Sequence, residues 1–129
     1  MSNLDERSTK DSLDLPELLT VVDNDRELLA ELVEIFNQQM PLLLKSLQEA
    51  VVQEDVKAVE IASHTLKGML SNLRATRAAL TAGQIEQMAR EQKPAGLREA
   101  LATFETEARD VTAQLNAIVS QAPDAFSLG

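Results

Sequence analysis

His64 is the only histidine in a chain of 129 residues that has no cysteine. Lys67 follows three positions on and Gly68 four positions on, within the stretch ASHTLKGMLSN at 62–72. An imidazole is nucleophilic at neutral pH and needs exposure more than a buried activating triad. On a helix, residues at i+3 and i+4 share the face of residue i. A nucleophile, a cation and a missing side chain thus share one face of the helix. A helix-interior glycine costs about 1 kcal/mol against alanine, so its place here asks for a reason that the side chain is absent. An ordinary surface histidine beside a solvated lysine is the plain alternative. The lone histidine and absent cysteines exclude a thiolate nucleophile, a disulfide, Cys-ligated zinc and a multi-His metal centre, so no metal site is expected.

With 100° of turn per residue, Lys57, Glu60, Gly68 and Ser71 fall within about 40° of His64, and Lys67 lies about 60° away. Ile61 lies about 60° round on the other flank. Val59, Ala62, Leu66, Met69 and Leu73 fall opposite and form the expected core stripe. His64 is therefore expected to face solvent, with Gly68 beside it. Lys67 reads as a solvated cation, whose loss would cost the fold at most about 1 kcal/mol. The segment 61–85 contains no acidic residue but carries Lys67, Arg74 and Arg77, where a 25-residue window at the chain average would hold about 4 acids. An acid-free, mildly basic surface is expected there, suited to an anion or an acidic partner.

The elements that position this face read as helices almost throughout. A short helix is expected near 15–22, with Asp14 as its cap and Pro16 in its first turn. A long helix is expected at about 25–53, with Leu28, Leu32, Ile35, Phe36, Leu43 and Leu47 as its stripe. Pro41 inside it should kink it or remove a hydrogen bond. Asp55 is placed to cap a helix at about 56–73. Helices at about 77–92 and 97–120 follow, the last with a stripe of Leu101, Phe104, Ala108, Val111, Leu115 and Ile118. The expected fold is all-α: an antiparallel four-helix bundle with a short N-terminal capping helix. Residues 1–12 and 121–129 read as flexible tails and 13–120 as one domain.

Composition agrees with packed helices: hydrophobic residues make up 44% and aromatics only 2%. The net charge of −9 argues against a nucleic-acid partner. No secretory signal or membrane-length apolar run is seen, so a cytoplasmic protein is expected.

Ser63-His64-Thr65-Leu66-Lys67-Gly68 resembles the A-H-x-L-K-G pattern of the histidine-containing phosphotransfer (HPt) domain of multistep two-component phosphorelays. The resemblance extends over about 13–120, through the long helix before this motif and through ALTAGQIEQMAR at 79–90 after it. It implies a phosphoryl carrier without ATP-binding or independent catalytic machinery. His64 would accept phosphate from the aspartyl phosphate of a receiver domain and pass it to another. Lys67 would stabilise the phosphate, and Gly68, Ile61 and Ser71 would lie where the partner docks. Partners would be response-regulator receivers and a hybrid histidine kinase, with no cofactor of the chain's own and Mg²⁺ on the receiver. Two positions depart from the family pattern: Met69, where a small residue is usual, and Arg74-Ala75, where Gly-Ala is frequent. The rival reading is a phosphorylation-independent helical module that binds a receiver or kinase domain through Ile61 and Gly68. An independent hydrolase lacks a Ser or Cys with an orienting acid beside His64. A monomer is expected.

Overall fold

Three of the helices begin in the same way. Asp14, Asp25 and Asp55 each accept a hydrogen bond from the backbone N–H three residues on, at 3.1, 3.0 and 3.1 Å. Each carboxylate satisfies an N–H that has no intrahelical partner and sits at the positive end of the helix dipole. In this computed structural model, which describes residues 13–120, the helices are α1 (Leu15–Val21), α2 (Arg26–Val52), α3 (Val56–Asn72), α4 (Thr76–Arg90) and α5 (Leu97–Ser120). No strand occurs among the described residues. The segments read as tails, 1–12 and 121–129, lie outside them. α4 starts one residue earlier than expected and has no side-chain cap, because Ala75 occupies the cap position.

α2 packs on α3, α3 on α4, α4 on α5 and α5 back on α2. Side chains pair across these helices in opposite sequence order. Asn37 meets Asn116 and Gln48 meets Glu105 between α2 and α5. His64 meets Glu86 and Glu60 meets Arg90 between α3 and α4. α1 sits against the α3–α4 turn: the Asp14 N–H donates to the Arg74 carbonyl at 3.0 Å, and Leu18 and Val22 are fully buried.

The core is aliphatic around Phe36 and Phe104. The expected stripe of α5 is buried from Leu101 to Leu115, with Ile118 partly buried. The stripe of α2 is rotated from the expected one. Leu29, Val33, Phe36 and Met40 point inward, while Leu28 and Ile35 are exposed. The doublets Leu28-Leu29, Leu32-Val33 and Ile35-Phe36 offer two apolar stripes one residue apart, and packing against α3 and α5 selects the second. The helix continues through Pro41, which has no N–H to offer the Asn37 carbonyl.

Glu107 of α5 is half-buried, and its Oε1 has no hydrogen-bond partner. Burial pushes its carboxyl above the usual range, against a hydrogen bond from Thr81 and the nearby Arg77 charge. Because the folded state binds this proton more tightly than the unfolded chain, Glu107 lowers stability once pH rises through the folded value. Glu107→Gln should therefore stabilise the protein by about 1 kcal/mol at neutral pH. The gain should vanish below the unfolded carboxyl range. Denaturant midpoints at pH 7 and pH 4 check this, and equal midpoints for the two proteins at pH 7 would refute it.

Candidate functional site

The registers of α3 and α4 build the site. On α3, Val59, Ala62, Leu66, Leu70 and Leu73 are buried, which turns His64 outward with 67% of its side chain exposed. On α4, Ala78, Ala79, Ala82, Ile85 and Ala89 face inward, and Glu86 falls on the same stripe. Glu86 is only 3% exposed, at the seam between the two helices and directly beneath His64.

Its carboxylate gathers three donors. His64 Nδ1 lies 3.0 Å from Oε2, Lys67 Nζ 2.8 Å from Oε1, and Arg90 Nη2 2.7 Å from Oε2. Arg90 Nε reaches on to Glu60 at 3.4 Å, and Lys57 stands 3.7 Å from the other Glu60 oxygen. A buried carboxylate needs such company, since an isolated charge in an apolar seam would protonate. The Lys67 hydrogen bond is the main reason that the Glu86 carboxyl is held below the usual range; burial opposes it and His64 adds to it.

An ionised carboxylate only accepts hydrogen bonds, so it fixes which ring nitrogen carries the proton. With Nδ1–H donating to Glu86, the ring nitrogen left to bear a lone pair is Nε2, the one away from that bond. The ring is thus oriented from below and nucleophilic from above. A shallow depression of about 290 Å³ surrounds it, lined by Lys57, Glu60, Ile61, Thr65, Glu86 and Arg90. Ile61 is 58% exposed at its margin. Gly68 and Ser71 continue along the exposed face of α3 outside this depression. A Cβ built at Gly68 meets no atom within 4 Å, whereas one at Gly83 of α4 would sit 3.3 Å from the Lys67 stem. Gly83 leaves room for Lys67 to lie across α4, while Gly68 opens only to the outside.

Two expectations about charge are corrected. The face around His64 is not acid-free, because the acid-free segment ends one residue before Glu86, which folds back under the imidazole, and Glu60 borders the same depression. Nor is Lys67 a solvated cation: it is bonded to a buried carboxylate. The sequence reading missed Glu86, Arg90 and their link to Glu60. The available signal was a glutamate on the alanine-rich stripe of α4, which no apolar core accepts without a cation. Of the two departures from the family pattern, Met69 is partly buried against the core. Arg74 adopts a left-handed φ of 61° at the end of α3, where the Ala75 N–H reaches back to the Leu70 carbonyl at 2.9 Å. Its guanidinium bonds the Ser71 carbonyl at 3.0 Å and Glu17 at 3.3 Å, which ties the turn to α1.

Removing Lys67 should therefore cost more than a surface pair. Lys67→Ala is expected to destabilise the fold by about 2 kcal/mol at pH 7, the scale of a hydrogen bond to a charged group whose partner stays buried. The Glu86 carboxyl is depressed in the folded state. Its stabilisation is thus complete above the unfolded carboxyl range and is lost as pH falls through the folded value. Urea titrations of both proteins should differ at pH 7 and converge towards pH 3. A difference that persisted at low pH would show that the lysine stem, not the ion pair, carries the effect.

Among the described residues, no group of three or more His, Cys, Asp or Glu side chains could hold a metal ion, and no helix is long and apolar enough to cross a membrane. No curated protein and no solved structure matches the chain. The model of the Hpt domain family matches residues 31–125, from α2 through α5 with the His64 face included. With that match spanning most of its length, the chain belongs to the Hpt domain family, whose members carry phosphoryl groups on histidine in phosphorelays.

Proposed function

We propose that this protein is a histidine phosphotransfer carrier in which His64 Nε2 accepts a phosphoryl group from the aspartyl phosphate of a receiver domain and returns it to the aspartate of another. The single observation that carries the reading is the ring geometry. Glu86 holds Nδ1 of a ring whose side chain is 67% exposed, on a face that Gly68 leaves open. Transfer forms the Nε2–P bond and breaks the P–O bond to the receiver's aspartate, whose oxygen keeps the electron pair. Positioning and charge neutralisation carry most of such a transfer. The receiver would supply Mg²⁺ and most of those groups, so the carrier needs only an oriented nucleophile and a nearby cation. Lys67 can turn from Glu86 towards the phosphoryl oxygens, since Arg90 remains on the carboxylate.

In this reading the four long helices form an antiparallel bundle capped by α1. The opposite order of the α2–α5 and α3–α4 pairs and the three- and six-residue connections support that arrangement. Ile61, Gly68 and Ser71 belong to the docking face, and the chain acts as a cytoplasmic monomer. The test is to incubate the protein with a panel of receiver domains phosphorylated on aspartate. The expected result is an acid-labile label that moves to this chain as the receiver loses it. If a receiver binds and no label moves, the protein is instead a phosphorylation-independent interaction module.

A further inference from the structure

If His64 is the phosphoryl carrier, its partner at Nδ1 has a chemical consequence of its own. Once Nε2 holds the phosphoryl group, Nδ1 is either bare, in the neutral phosphoimidazole, or protonated, in the phosphoimidazolium. A carboxylate has no hydrogen to donate, so the 3.0 Å contact with Glu86 Oε2 is a hydrogen bond only in the protonated form. A bare Nδ1 would instead point a lone pair at a buried anion. The geometry points to Glu86 as a lability determinant: it keeps phospho-His64 protonated at Nδ1 and so poised to discharge rather than to store its phosphoryl group.

The bond changes set the direction of the effect. In transfer, an aspartate oxygen bonds phosphorus while the Nε2–P bond breaks and its electron pair returns to Nε2. With Nδ1 protonated, the ring leaves as neutral imidazole. With Nδ1 bare, it would have to leave as anionic imidazolate, a far poorer leaving group. Hydrolysis follows the same rule, with water as the nucleophile, inorganic phosphate as product and one proton released to solvent. The charged groups facing this pair are Lys67 and Glu60 from α3 and Arg90 from α4, with Lys57 beyond Glu60. Arg90, 2.7 Å from Oε2, stays on the carboxylate when Lys67 turns to the phosphoryl oxygens, and so keeps it an acceptor.

This inference rests on the carrier reading, and its test needs no receiver. Potassium phosphoramidate, a small-molecule phosphoryl donor, is used to label the wild-type chain and Glu86→Gln, and the decay of phospho-His64 is followed from pH 5 to 9. A glutamine amide can donate to a bare Nδ1, so the variant should favour the neutral, slow form. The midpoint of its pH–decay profile should fall by about one unit, the scale of removing an adjacent opposite charge. Its phospho-form should last up to about tenfold longer near pH 7.5. Lys67 merely freed to hold the phosphate would slow decay at every pH without moving the midpoint, and that result would overturn the proposal. Superimposable profiles would overturn it too while leaving the carrier reading intact. Failure of phosphoramidate to label His64 in the wild-type chain would overturn both. If the variant is poorly folded, the same decision comes from ¹⁵N shifts of phospho-His64 in the wild-type chain. A protonated Nδ1 at pH 8 is expected, and a bare one would end the proposal.

Discussion

His64→Gln should take up no phosphoryl group from any phosphorylated receiver. An amide nitrogen has its lone pair delocalised into the carbonyl, so glutamine offers no nucleophile at this position. The fold should remain, because the side chain is largely exposed and the glutamine amide can still donate to Glu86. Surface substitutions of this kind usually move stability within about 0.5 kcal/mol. The measurement is the acid-labile radiolabel transferred from a receiver, read beside a thermal melt of the same sample. Labelling of the variant to the wild-type extent would place the acceptor elsewhere and end the carrier proposal. Retained receiver binding by the unlabelled variant separates docking from chemistry, since Ile61, Gly68 and Ser71 are untouched.

Local physics made much of this legible. Asp14 and Asp55 announce helix starts because a short carboxylate at that position satisfies an otherwise orphaned N–H. One helix with one apolar stripe is enough to turn His64 outward, and burial of Val59, Ala62, Leu66 and Leu73 bears that placement out. Where a helix carries two adjacent apolar stripes, as α2 does, periodicity cannot choose between them; the choice belongs to its neighbours. The partner of His64 was hidden for a different reason. Glu86 is 22 residues away and meets the imidazole only through the register of α3 on α4. Counting charges along the sequence therefore made the face look free of acid, while the fold places a carboxylate at its centre. The composition of α4 held a clue, because Glu86 interrupts a stripe of Ala78, Ala82, Ile85 and Ala89. That clue asks for a cation but does not say that a histidine shares the site. The left-handed turn at Arg74 shows the converse case. The glycine frequent in the family pattern is absent, and the backbone takes a left-handed conformation at an arginine whose side chain bonds Ser71 and Glu17.

Gly68→Gln should give a split result: equal or higher stability, with much slower transfer from a phosphorylated receiver. The stability half follows from two facts. A helix-interior glycine replaced by a good helix former gains up to about 1 kcal/mol. A Cβ at position 68 meets nothing within 4 Å, so no packing opposes that gain. The transfer half follows from geometry. Position 68 lies one turn along α3 and about 40° round from His64, so a side chain there projects beside the imidazole. The attacking nitrogen and the phosphorus must come nearly into contact and in line with the leaving oxygen. A glutamine between the two surfaces holds them apart, whereas Gly68→Ala, with a single methyl group, should slow transfer far less. Single-turnover transfer rates for the two variants, measured beside their melts, decide the matter. Lower stability in both would place the need for glycine inside the bundle, against the open space around it. Unchanged transfer in Gly68→Gln would mean that the receiver approaches His64 from another side, and the exposed margin at Ile61 would then be the face to alter.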